Sequence, residues 1–333
     1  MKTNGLFAAL CCAALLTGCT AAPKQDNPDG SADSTAETTA AVTEAPAETE
    51  PAPPAERSLV TLGDSIAFGY GMEDPDTQRY SAIVSAALSE RDGISWHDYN
   101  YALSGDDSSD LLWRLQKGRA KFLPSSDKII INIGSNNLLG VYEDYVRDRI
   151  DFDEDDLDID SLTDEQIADM QKQVEDALSD EEAVRQEIET RLDENLTQLS
   201  SDLEEIYAWI RNVNEDADIY VLNIYNPYRD TEENVLPGLS DDPGTYAQTQ
   251  IDRANQIIAD FTDRHSDLIP VDIAAAFAAS NPLPIAGKTE AELPAVTDSD
   301  SPYADMEYLD PHPDEAGQKL IADTILAKMD AGS

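Results

Sequence analysis

Ser65 ends the run Leu59-Val60-Thr61-Leu62-Gly63-Asp64-Ser65, in which an apolar burst delivers a glycine, an acid and a hydroxyl to a turn. A hydroxyl at the carboxyl end of a strand in a parallel sheet sits where such sheets collect their ligands. Its pKa is too high for unaided attack on a carbonyl, so it becomes a nucleophile only beside a base and donors for the developing oxyanion. Three histidines are available as bases: His97, His265 and His312. His97 falls inside a predicted strand and His265 at a predicted helix end, where a cation suits the helix dipole. Both read as structural. His312 lies in Leu309-Asp310-Pro311-His312-Pro313, read as a rigid loop before the last helix, where two prolines restrict the backbone and hold the imidazole in place. The chain has no G-x-S-x-G elbow, which makes an α/β-hydrolase assignment less attractive.

The elements that must position these groups follow from periodicity. After the strand ending at Gly63, a helical pattern starts near Thr77 and is strongest over 79–90, with Ile83, Val84, Ala87 and Leu88 on its apolar face. Strands are predicted over 94–101, 128–133, 217–224 and 268–273, and helices over 107–117, 246–265 and 314–328. Short apolar strands alternating with helices predict an α/β fold, a three-layer α/β/α sandwich around a parallel sheet covered on both faces.

One segment interrupts this rhythm. Residues 142–194 are crowded with acids, including Asp151-Phe152-Asp153-Glu154-Asp155-Asp156, and become helical in their second part. Thr163 with Gln166 and Ser179 with Glu182 have capping-box spacing, the latter opening a long helix toward Asn212. An EF-hand loop counted from Asp151 would need glycine at 156 and a carboxylate at 162, where the chain has Asp156 and Leu162. The expectation is a solvated acidic insertion overhanging the cleft as a lid or partner surface.

Residues 1–18 have a lysine near the start and an apolar stretch of secretory length, expected to be an export signal. Leu16-Thr17-Gly18-Cys19 resembles the lipobox of bacterial lipoproteins, which implies cleavage before Cys19, lipidation of Cys19 and an extracytoplasmic, membrane-anchored location. Residues 19–57, rich in Ala, Thr, Glu and Pro, cannot bury a core and are expected to be a disordered tether. The single remaining domain would run over 58–333. The net charge of −46, from 68 acidic against 22 basic residues, argues against nucleic acid and against passive adhesion to anionic lipid. A surface this acidic also occurs in salt-adapted proteins.

In motif order, residues 59–328 resemble the SGNH, or GDSL, hydrolase family. Gly63-Asp64-Ser65 matches its first block, which implies Ser65 as nucleophile. Ser104-Gly105-Asp106 matches the second and implies the Gly105 N–H as an oxyanion donor. Gly134-Ser135-Asn136-Asn137 resembles the Gly-x-Asn-Asp turn and implies the Asn136 amide as another, beside the Ser65 N–H. His312 matches the last block, as general base. Tyr225-Asn226-Pro227-Tyr228 resembles a lipoprotein-like subgroup of the family. Two departures stand out. The acid usually three residues before the histidine is Leu309 here, so Asp310 is expected to orient His312, with Glu307, Asp305 or a backbone carbonyl as alternatives. Asn137 replaces the usual Asp, a change expected to be tolerated.

The resemblance implies a flavodoxin-like order for a five-stranded sheet and a surface esterase or acylhydrolase working through an acyl-enzyme. It also implies no metal or organic cofactor. Lipids, acetylated glycans and small esters are all open as substrates, with the chain expected to act as a monomer. Phe68, Tyr70, Tyr225 and Tyr228 read as pocket lining or as core. Two other readings stay open: a catalytically inactive binding module of the cell envelope, with the displaced acid as its mark, and a flavodoxin-like nucleotide or flavin protein, which no Gly-rich phosphate cradle supports.

Overall fold

A computed structural model describes residues 56–150, 163–231, 236, 238–290 and 307–331. The expected export signal, Cys19, the tether up to residue 55, the aspartate run 151–156 and Asp305 lie outside the described residues. In chain order, β1 (Glu56–Gly63) is followed by α1 (Ser65–Phe68), α2 (Pro75–Gln78) and α3 (Tyr80–Asp92). The single helix anticipated near Thr77 is thus broken, with Arg79 standing in extended backbone as the N-cap of α3. Next come β2 (Ser95–Asn100), α4 (Ser108–Gln116), β3 (Lys128–Asn132), α5 (Ser135–Arg147), α6 (Asp164–Ala177) and α7 (Glu181–Val213). The chain continues through β4 (Asp218–Leu222), α8 (Pro243–Arg264), β5 (Leu268–Val271), α9 (Ile273–Ala278), β6 (Ile285–Glu290), β7 (Glu307–Pro313) and α10 (Glu315–Ala331).

The first five strands form one parallel sheet in the order β2-β1-β3-β4-β5. Side chains alternate between its faces with the two-residue period of a strand. Val60, Leu62, Ile129, Ile131, Ile219 and Val221 join one core with α4, α7 and α8. Leu59, Ile130, Tyr220 and Leu222 join the opposite core with α3 and α10. Burial on both faces is why these strands read as unbroken apolar runs. This is the flavodoxin-like three-layer arrangement.

The described part of the insertion differs from a solvated acidic loop. Ile167, Val174, Val184, Ile188 and Leu192 pack with Val141, Tyr142, Tyr145 and Val146 of α5 into a third apolar cluster, which also takes in Leu236 and Leu239 from the segment after β4. Thr163 does form a capping box with Gln166. The cap of α7, however, is Asp180, whose side chain accepts from the Ala183 N–H at 3.2 Å, rather than Ser179. At 33 residues α7 is about 50 Å long, whereas a five-residue strand spans about 17 Å. Because α7 runs back antiparallel to the sheet before β4, its first half projects beyond the sheet's carboxyl edge.

His312 lies not in a loop but in strand β7, paired antiparallel with β6 in a separate two-stranded sheet, with a register irregularity between Ile285 and Gly287. Prolines at 311 and 313 cannot donate to a ladder and make the segment read as a loop; a two-stranded hairpin, which is all edge, accommodates them.

Candidate active site

The sharp exit from β1 depends on Gly63, where a Cβ would stand 2.3 Å from the carbonyl oxygen of Asn132 on the adjacent strand. Asp64 then caps α1, its Oδ1 accepting from the Ile66 N–H at 3.0 Å, and Ser65 occupies the first helical position. This helix has only four residues, so its carbonyls need outside partners. Asn100 Nδ2 donates to the Ala67 carbonyl at 2.7 Å and Gln318 Nε2 to that of Ile66 at 3.1 Å. Full burial pushes the Asp64 carboxyl up to about 6, against the lowering effects of the Ile66 N–H and nearby His312.

Ser65 Oγ lies 2.8 Å from His312 Nε2, and Asp310 Oδ1 lies 2.6 Å from His312 Nδ1. All three residues are buried. In extended backbone residues two apart share a face, which explains how an acid two positions before the histidine meets its ring. The same Asp310 Oδ1 also accepts from the His312 N–H at 2.9 Å. Tyr225 Oη donates to the Pro311 carbonyl at 2.7 Å, fixing the residue between them, and the Tyr70 ring lies with its centroid 4.5 Å from that of His312. The arrangement suits an imidazole that keeps its Nδ1 proton, donating it in a hydrogen bond to Asp310, and takes a proton from Ser65 on Nε2.

The loops after β2 and β3 approach the same edge. Gly105 is exposed, at a φ of +83° that favours glycine. Asn136, early in α5, donates from Nδ2 to the Asp106 carbonyl at 2.9 Å, tying the two loops together, and borders one cleft with Ser65 and His312. The Asp106 carboxylate pairs with Arg114. Asn137 is buried; its Oδ1 accepts from the Ser108 N–H at 3.1 Å and its Nδ2 donates to Ser108 Oγ at 2.9 Å. A carboxylate does reach this point, from α7: Asp202 accepts from Ser108 Oγ at 2.7 Å and Ser109 Oγ at 2.8 Å.

A family model described as the GDSL-like lipase/acylhydrolase family matches residues 61–320. The chain belongs to that family. Among solved structures, it is similar to the lipase Lip_vut3 from a goat rumen metagenome (16% identity, 82% of this chain, 97% of that one, TM-score 0.49). It is also similar to an extracellular lipase from Streptomyces rimosus (17% identity, 82% and 99%, TM-score 0.49). A third is phospholipase A1 from Streptomyces albidoflavus NA297 (19% identity, 82% and 100%, TM-score 0.47). No curated protein matches the chain.

In this GDSL-family chain the structure brings Ser65, His312 and Asp310 into one contact chain and sets Asn136 at the cleft they share. Gly105 stands on the neighbouring loop, outside the cleft lining. Of the aromatic candidates, Tyr225 and Tyr228 border the cleft and Phe68 is exposed. His265 ends α8 with Nε2 2.7 Å from Glu204, and His97 lies 3.4 Å from Glu56, both away from the site. Among the described residues no group of three or more His, Cys, Asp or Glu is placed to hold a metal. Sequence reading missed Asn100, Gln318 and Asp202 as supports. Gln318 carried a signal: it interrupts the apolar face of the last helix three residues before Ile321, yet it is wholly buried.

Proposed function

We propose that this protein is a serine ester hydrolase in which Ser65 attacks the ester carbonyl and His312 removes its proton. Asp310 orients the imidazole and stabilises the imidazolium as it forms. The N–H groups of Ser65 and Gly105 and the Asn136 amide receive the oxyanion, each donor being worth roughly 2.7–4 kcal/mol in such sites. His312 then protonates the departing alkoxide, and water activated by the same ring releases the acyl group. The observation that carries this reading is the continuous contact from Asp310 through both ring nitrogens of His312 to Ser65 Oγ. Within the same proposal, residues 1–18 direct export, lipidated Cys19 holds the protein at the outer face of a bacterial membrane, and residues 20–55 tether the hydrolase domain, which opens with β1 at Glu56.

The test is hydrolysis of p-nitrophenyl esters beside Ser65→Ala, with labelling by an organophosphonate. The expected result is a loss of kcat/KM of at least about 10⁴-fold in the variant, with label on Ser65 alone. A folded wild-type protein that neither turns over esters nor takes label would leave an inert binding module instead.

A further inference from the structure

One side of the cleft beside Ser65 is walled by residues outside the parallel-sheet core. Tyr142 and Leu139 come from α5, Ile188 and Leu192 from the projecting half of α7, and Leu236 and Leu239 from the segment after β4. That segment is fastened to the insertion by Arg185, whose Nε donates to the Leu239 carbonyl at 2.9 Å. Ile251 and Ala247 of α8 close another side. Two polar residues border the cleft from α8, and their polar groups are already engaged. Tyr246 Oη donates to Glu189 at 2.9 Å, Gln250 Nε2 to Glu189 at 3.1 Å, and Arg253 Nη1 to Gln250 Oε1 at 2.6 Å. A hydroxyl-rich ligand part entering there would exchange water for few partners, whereas a hydrocarbon chain asks for none.

We propose that this cleft is an acyl-chain pocket walled on one side by the insertion, and that the protein acts on esters of medium-length, unbranched fatty acids. The assignment rests on the reading of Ser65 as nucleophile. The ester carbonyl lies between Ser65 and Asn136, and the acyl chain runs from there under the first half of α7. The alcohol departs on the side of Leu103 and Gly105, which are exposed and line no part of the cleft. That division suits the chemistry. The acyl group must stay bound through two steps, while the alcohol must leave and let water in.

The experiment is a kcat/KM series on p-nitrophenyl acetate, butyrate, octanoate and palmitate with the full chain, together with the isomers ethyl octanoate and octyl acetate. Each buried methylene contributes roughly fourfold, so octanoate should exceed acetate by at least about 100-fold, and ethyl octanoate should be preferred to octyl acetate. Leu139→Trp, at a half-buried position, and Leu192→Trp, deeper in, should each lower the octanoate-to-acetate ratio at least about tenfold. Ser65-dependent turnover with a flat profile or with acetate best overturns the acyl pocket and leaves the esterase reading standing. A preference for octyl acetate overturns it too, by placing the alcohol in the cleft. Absence of any Ser65-dependent turnover fails the esterase reading itself. The pocket is then decided by calorimetric binding of free octanoate to the Ser65→Ala protein, where binding weakened by Leu192→Trp keeps it and no binding removes it.

Discussion

At the scale of residues, the site depends on how backbone extension converts sequence spacing into geometry. Asp310 and His312 meet because β7 is extended, so a single intervening residue, Pro311, is enough. Beside them is an acid that the proposed chemistry leaves unused. Asp64 is fully buried, and its pKa rises from 3.8 to about 6. A folded-state pKa above the unfolded value means the folded protein holds that proton more tightly. The associated stability is complete below about pH 3.8 and is lost as the pH rises through about 6. A shift of this size corresponds to about 3 kcal/mol. Asp64→Asn keeps the capping oxygen but has no proton to release, so the stability difference between variant and wild type should grow by this order between those pH values. Denaturant titrations at several pH values would check it, and parallel stability curves would sink the idea.

At the scale of elements, a support of the loops proposed to hold the oxyanion comes from α7, far away in sequence. Asp202 is 2% exposed and sits at the N-terminus of α4, where a carboxylate also complements the helix dipole. Asp202→Ala strands the Ser108 and Ser109 hydroxyls and should cost about 1–3 kcal/mol. It should also lower kcat more than it raises KM, because it loosens the start of α4 next to Gly105. Melting and steady-state kinetics together read this, and unchanged kcat would leave Asp202 with a packing role only. The central strands β1, β3 and β4 and the larger helices were legible because two-sided burial writes continuous apolar runs, and helical faces such as Leu111, Leu112 and Leu115 keep their spacing. Strand β7 was hidden by Pro311 and Pro313. The apolar cluster of the insertion was hidden because Ile167, Val174, Val184 and Ile188 are scattered among exposed acids. Asp202 was illegible for a related reason: on a helix full of Asp and Glu, nothing local marks the one whose partners lie 93 and 94 residues away.

At the scale of the whole molecule, a net charge of −46 sets a field that the local ion pairs do not cancel. Self-repulsion of this kind weakens the compact state, and salt shortens its reach to about 10 Å at 0.1 M. The melting temperature should therefore rise by several degrees between low salt and about 0.5 M sodium chloride. A melting temperature that falls or stays level would show that the charges are neutralised in place. The two-stranded hairpin has a consequence at this scale. The proposed nucleophile and base hang from different sheets, Ser65 from the end of β1 and His312 from β7, and only the seat of the hairpin brings them together. Heat or a mutation that unseats β6 and β7 would silence the protein while its spectroscopic signature of folding stayed intact, so inactivation and melting are two separate clocks.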